Sequence, residues 1–314
     1  MHVYLLKRLL SLIPVLVVVS IVVFLLVHLS PGDPVKAMLG QNAPPEQVTQ
    51  LREELGLNRP LIEQYFSWSI DLLKGDLGNS IFLKKPVLEI FMSYLGPTIS
   101  LSILAQIISI AIALPSGIWA ARKKGTAMDQ TIMGISLVGI SMPSFLLGLL
   151  LIIVFAVQLR WFPVAGYQPL SSGFWNHLKF LILPAIALGY MQAAIITRMT
   201  RASMLEVISA NYVKTAKAKG LSQSVVINKH AFRNALVTIL EVIGQTFATL
   251  ITGAFVVEAV FNIPGLGQLI VNSIERRDFI LIQGITILVA MAYVLINLII
   301  DLLHSVVDPR VRLK

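Results

Sequence analysis

The stretch LLSLIPVLVVVSIVVFLLVHL, Leu9–Leu29, runs for 21 residues without a charge. As a helix rising about 1.5 Å per residue it reaches about 31 Å, enough to cross the hydrocarbon core of a bilayer. It is longer than the roughly 7–15 apolar residues of a secretory signal, and no A-x-A cleavage site follows it, so an uncleaved anchor is expected. Working outward, five more apolar windows follow: Ile90–Ala121, Gln130–Leu159, Phe180–Thr197, Asn234–Val260 and Phe279–Ile300. Each has room for one crossing and none comfortably for two. The expectation is an all-α integral membrane protein with six transmembrane helices, Phe180–Thr197 being the shortest window.

Composition points the same way. Apolar residues make up 56% of the chain and charged residues 13%, with a mean hydropathy of +0.81. Soluble domains carry about 25% charged residues, so water is a poor solvent for most of this surface. With no cysteine, disulfides, thiolate metal sites and cysteine nucleophiles are excluded. The basic residues are unevenly placed. Fifteen of the 25 fall at Lys7–Arg8, Arg122–Lys124, Arg198–Arg233 and Arg310–Lys314. By the positive-inside rule these segments, and hence both termini, are predicted to be cytoplasmic.

The chain divides into an N-terminal end with the first span (1–29), an extracytoplasmic loop (30–89), and a five-helix core (90–314) interrupted by a basic loop (198–233). In the first loop, Pro31-Gly32-Asp33-Pro34 is expected to end the first helix. Val48, Leu51 and Leu55 then recur at helical spacing, and Leu61–Leu73 carries Tyr65, Phe66, Trp68, Leu72 and Leu73. Two or three short helices are predicted there, forming an external helical cap that meets a partner or shields a pore mouth.

In the basic loop, Asn211–Lys219 has high helix propensity, Gly220 stands where a C-cap glycine belongs, and Ser222 is placed to cap the next helix. The small residues Ala216, Ala218 and Gly220 suit close docking into another protein. A basic loop held near anionic headgroups explains the same residues equally well. In the fifth window Glu241, Gln245, Thr249 and Thr252 are spaced 4, 4 and 3 apart and share an arc of about 80°. Polar groups at bilayer depth face a water-filled path or a neighbouring helix, so this stripe is either a translocation path or a packing seam of small residues. Glu258 is expected to cap the following turn, pair with a cation, or bind a cationic group of the cargo. The five histidines are scattered, no H-x-x-x-H pair occurs, and no metal site or catalytic constellation is predicted.

Tyr212-Val213-Lys214-Thr215-Ala216-Lys217-Ala218-Lys219-Gly220-Leu221, followed by His230-Ala231-Phe232-Arg233-Asn234-Ala235-Leu236, resembles the EAA loop of permease subunits of binding-protein-dependent ABC importers. The version here is similar to that of the dipeptide, oligopeptide and nickel branch, with Thr215 where glutamate is common elsewhere. The likeness extends through Lys7-Arg8-Leu9, Pro31–Pro34, Leu55–Leu61 with Gln64-Tyr65, Gly75–Ser80, Gly139–Phe145, Phe261–Gly267, Arg277-Asp278 and Asp308-Pro309-Arg310. It implies type I importer architecture in the cytoplasmic membrane of a bacterium or archaeon. Tyr212, Thr215, Ala216, Ala218, Lys219, Gly220 and Leu221 would form a coupling helix docking on two cytoplasmic ATPase subunits. A second, homologous permease would complete the pore in the lipid bilayer, an external binding protein would deliver cargo, and no nucleic acid is involved. No G-x-x-x-x-G-K-[ST] occurs, so no cofactor is expected on this chain, ATP and Mg being held by the partner ATPases. Peptide is the expected cargo, with nickel or a metal chelate as the alternative. An ion-gradient carrier or a non-transporting scaffold are the readings of other classes.

Overall fold

A computed structural model describes the backbone of residues 2–29, 35, 39–40, 43–54 and 56–307. The expected turn at Pro31–Pro34, the apolar position Leu55 and the ending Asp308-Pro309-Arg310 lie outside the described residues. Regular structure among the described residues is helical, apart from one isolated antiparallel bridge between Asn79 and Pro86.

In chain order the helices are α1 (His2–Leu29), α2 (Pro45–Glu54), α3 (Leu61–Leu73), α4 (Val87–Arg122), α5 (Ala127–Ser141), α6 (Ser144–Leu151), α7 (Phe174–Ser209), α8 (Asn211–Ala218), α9 (Phe232–Gly253), α10 (Phe255–Val260), α11 (Leu266–Glu275) and α12 (Phe279–Val307). All six apolar windows fall on helix. Among the described residues, α4, α7, α9 and α12 are each long and apolar enough to cross a membrane by themselves, and the bent pair α5 and α6 makes a fifth crossing if it is one span.

The third window is not the single straight span the sequence suggested. α5 and α6, the latter prolonged by a π-helical stretch Ile152–Gln158, meet at 101°. Proline has no N–H, and its ring pushes the preceding residue out of the α region. Met142 accordingly has ψ 121° and Pro143 ψ 135°, so the helix stops and restarts in another direction. The fourth window is longer than expected. α7 continues through Arg198 and Arg201 to Ser209, so the first part of the basic segment 198–233 is helix. The fifth is interrupted at Ala254, leaving Glu258 on the separate α10.

The chain forms two compact units that do not follow the sequence division. One comprises residues 1–96 and 265–295. Its core is Val87, Ile90 and Phe91 against Leu266, Leu269, Leu281 and Ile285. Within it, Ser80 Oγ donates to Asp278 Oδ2 at 2.5 Å, and the Leu281 N–H donates to Asp278 Oδ1 at 3.2 Å. Ser80 and Asp278 are both buried, so two short motifs from opposite ends of the sequence close one polar knot. α3 leans on α1: Tyr65 OH and Ser20 Oγ are 2.8 Å apart, and Phe24 stacks near Tyr65 and Trp68 at ring separations of 5.4 and 5.8 Å.

The other unit comprises residues 97–264 and 296–314. α7 is its axis: 67% of its most apolar window is buried, against 39% for each of the other three spans. Backbones approach closely around it. A Cβ on Gly189 would lie 2.6 Å from the Ala105 carbonyl oxygen, and one on Gly117 would lie 2.6 Å from Thr200 Cβ. Small residues of this kind let apolar helices gain dispersion energy where lipid offers no hydrophobic drive. Gly189→Ala should therefore destabilise the purified protein by about 1–3 kcal/mol, read as a lower unfolding temperature in detergent. Gly96→Ala, whose Cβ would meet nothing within 4 Å, should leave that temperature unchanged or slightly raised.

Candidate functional site

Two surfaces of the second unit carry the residues singled out from the sequence. The first is the turn after α7. α7 ends at Ser209, the single residue Ala210 is extended at φ −66°, ψ 149°, and α8 begins at Asn211. The Ala210 carbonyl accepts from the N–H groups of Val213 and Lys214 at 3.1 and 3.3 Å, so the new helix starts at once. α8 ends as its composition predicts. Gly220 takes φ +79°, and the Leu221 N–H returns to the Ala216 carbonyl at 3.4 Å, the six-to-one bond of a Schellman motif. Ser222 sits at the start of the next turn, but its hydroxyl makes no capping bond.

α8 has two faces. Val213 and Ala216 pack against Val226, whereas Tyr212, Thr215, Ala218, Lys219, Gly220 and Leu221 are exposed. Ala216 differs from the other expected coupling residues in being 9% exposed, and it serves as the foot of the helix. Thr215 Oγ1 is spent on the Asn211 carbonyl at 3.1 Å. The exposed face is an aromatic ring, a leucine and lysines around a bare glycine turn.

The second surface is α9. Glu241, Gln245, Thr249 and Thr252 are all exposed, while Ile239, Val242, Thr246, Leu250 and Ile251 are buried behind them. The threonine hydroxyls are satisfied within the helix, Thr249 on the Gln245 carbonyl at 2.9 Å and Thr252 on the Ala248 carbonyl at 3.2 Å. The stripe is not a seam inside this chain. A seam flanks it, where a Cβ on Gly244, about 60° round the helix from Glu241, would come within 2.5 Å of Ile300.

A second polar stripe went unnoticed in the sequence. Thr98, Ser102, Gln106 and Ser109 on α4 repeat the 4-4-3 spacing and are all buried. Gln106 Nε2 reaches Thr246 Oγ1 at 3.4 Å, and Thr98 Oγ1 donates to Glu258 Oε1 at 2.6 Å. Glu258 is fully buried, so it is not offered to passing cargo; it is an internal acceptor for Thr98.

Residues 113–313 match the family model described as binding-protein-dependent transport system inner membrane component, and residues 1–102 match the model for its N-terminal part. The chain belongs to that family. It is 43% identical to the dipeptide transport system permease protein of Alkalihalophilus pseudofirmus, over 98% of this chain and 99% of that protein. It is 40% identical to the glutathione transport system permease protein of Escherichia coli, over 99% of both chains. Among solved structures, an inward-facing MetNI methionine ABC transporter chain superposes with a TM-score of 0.59 at 18% identity, covering 70% of this chain and 96% of that one. That likeness is one of fold. A transport subunit of an ABC importer, not an enzyme, is the result, and the gradient-driven carrier and scaffold readings fall away.

One further feature of the permease escaped the sequence reading. Arg201, on the last turns of α7, grips Asp129 on the first turn of α5 with Nε–Oδ1 at 2.6 Å and Nη2–Oδ2 at 2.7 Å. The Gly125 N–H donates to the same Oδ2 at 2.9 Å. The forked geometry of guanidinium on carboxylate makes this a strong pair, and the Asp129 side chain is 4% exposed. A separation of 72 residues hid it. Asp129→Asn leaves the Arg201 charge half-buried without its counterion and should cost about 3 kcal/mol. The double variant Asp129→Leu with Arg201→Met should recover most of that loss in the same thermal unfolding assay.

Proposed function

We propose that this permease carries di- and oligopeptides inward across the cytoplasmic membrane of a bacterium or archaeon, with both termini on the cytoplasmic side. The exposed polar stripe of α9 is the observation that carries the reading. A row of carboxylate, amide and hydroxyl groups left uncovered on an otherwise apolar helix is costly against lipid. Facing a water-filled path, it offers hydrogen bonds to a peptide backbone without demanding a particular side chain. A second, homologous permease supplies the opposite wall. That the relatives compared above are named for dipeptide and glutathione transport supports peptide as the cargo class.

In this reading the exposed face of α8 docks on a cytoplasmic ATPase subunit, one for each permease, and ATP and its metal reside there. An extracytoplasmic binding protein hands over the cargo. ATP binding draws the ATPases together, α8 moves with its ATPase, and the pore opens outward; hydrolysis resets it.

The complex purified from native membranes in mild detergent should contain a homologous permease and one or two P-loop ATPases, identified by mass spectrometry. Gly220→Pro forbids the left-handed turn that ends α8 and should lose the ATPases while the permease stays in the membrane. Recovery of the chain alone, as a monomer or homodimer, would overturn the assignment. For the stripe, single cysteines at Gln245 and Thr249 in this cysteine-free background should react with a water-soluble thiol reagent and be protected by peptide cargo. Protection along the whole stripe without cargo would make it a subunit seam.

A further inference from the structure

The helix α3 falls in the segment that hydropathy marks as an external loop, yet its contacts place it elsewhere. Its anchor points on α1 are Ser20, which Tyr65 OH meets at 2.8 Å, and Phe24, which faces both Tyr65 and Trp68. α1 is helical to Leu29. At 1.5 Å per residue, Phe24 lies about 7 Å and Ser20 about 14 Å back from that end. The uncharged run Leu9–Leu29 only just fills about 30 Å of hydrocarbon, so both anchors lie below the membrane boundary, in the leaflet at the C-terminal end of α1.

The circumference of α3 has three sectors when positions advance by about 100° per residue. Gln64, Tyr65, Trp68, Ser69 and Leu72 form the partly buried side. Ile62, Phe66, Ile70 and Leu73 follow in an arc of about 80° and are 71%, 60%, 50% and 87% exposed. Beyond them on the same exposed side come Glu63, Ser67 and Lys74, the last paired with Asp71 at 3.5 Å. An aqueous cap has no use for four large exposed apolar side chains in a row. A helix lying in an interface needs that order: protein, then acyl chains, then water, with the apolar arc sunk about 5–10 Å below the headgroups.

We infer that α3 is an interfacial membrane helix, strapped to α1 through Tyr65–Ser20 and the Phe24 ring cluster, whose Ile62, Phe66, Ile70 and Leu73 arc is covered by lipid acyl chains. α1 continues the same lipid face, since Val17, Val18, Ile21, Val22, Leu25 and Leu26 are exposed as well.

The test uses nitroxide labels on single cysteines at Phe66, Ile70, Ser67 and Lys74 of the assembled importer, reconstituted in phosphatidylcholine–phosphatidylglycerol vesicles. Collision with oxygen reports acyl chains, and collision with a neutral nickel chelate reports water. The oxygen-to-nickel ratio should be several-fold higher at positions 66 and 70 than at 67 and 74. Equal access of nickel to all four positions would overturn the inference in favour of an aqueous cap. Labels at 66 and 70 that are immobile and reached by neither collider would overturn it in favour of a protein partner. The same vesicles assayed for peptide-stimulated ATP hydrolysis show separately whether the transport reading stands.

Discussion

A polar side chain taken into hydrocarbon costs several kcal/mol unless another group of the protein, or trapped water, meets it. That constraint sorts the polar residues of this chain. Thr98, Ser102, Gln106 and Ser109 turn inward: Glu258 receives Thr98, Thr246 meets Gln106, and Ser109 Oγ donates to the Gln106 carbonyl of its own helix, while Ser102 Oγ is buried without a hydrogen-bond partner among the described residues. Asp129 and Arg201, near the ends of their helices, satisfy each other, and Asp129 also accepts a backbone N–H. Ser80 and Asp278 do the same in the other unit. Glu241, Gln245, Thr249 and Thr252 on α9 stand apart from these as a continuous polar row left exposed.

The helices themselves were largely legible, because 20-residue apolar runs have few other fates. Their breaks were legible only in part. Pro143 was in plain view, but apolar residues run on both sides of it, and hydropathy does not register a change of direction. Arg198 and Arg201 made Thr197 look like the end of a span. The helix goes on because the charge of Arg201 is neutralised by a residue 72 positions earlier, an interaction that no local pattern carries.

The two 4-4-3 stripes make the same point more sharply. Thr98–Ser109 and Glu241–Thr252 have equal spacing and similar chemistry, and one is core while the other is surface. Helical periodicity tells which residues share a face; which way the face points depends on the helices around it. The C-terminal turn of α8 lies at the other extreme. Gly220 was readable because a left-handed residue after a helix is a local requirement with one preferred solution. The burial of Ala216, on the same helix, could not be read locally because it depends on Val226, beyond the turn.

The link between α7 and α8 has a mechanical meaning. Only Ala210 separates the two helices, and its carbonyl is already held by Val213 and Lys214. A long tether would absorb a push by uncoiling. A one-residue joint has no such length to give, so α8 is set directly on the most deeply packed helix of its unit. Under the docking proposed for α8, a displacement at Tyr212 or Leu221 would be handed on to α7, and the Arg201 clamp ties α7 in turn to the first turn of α5.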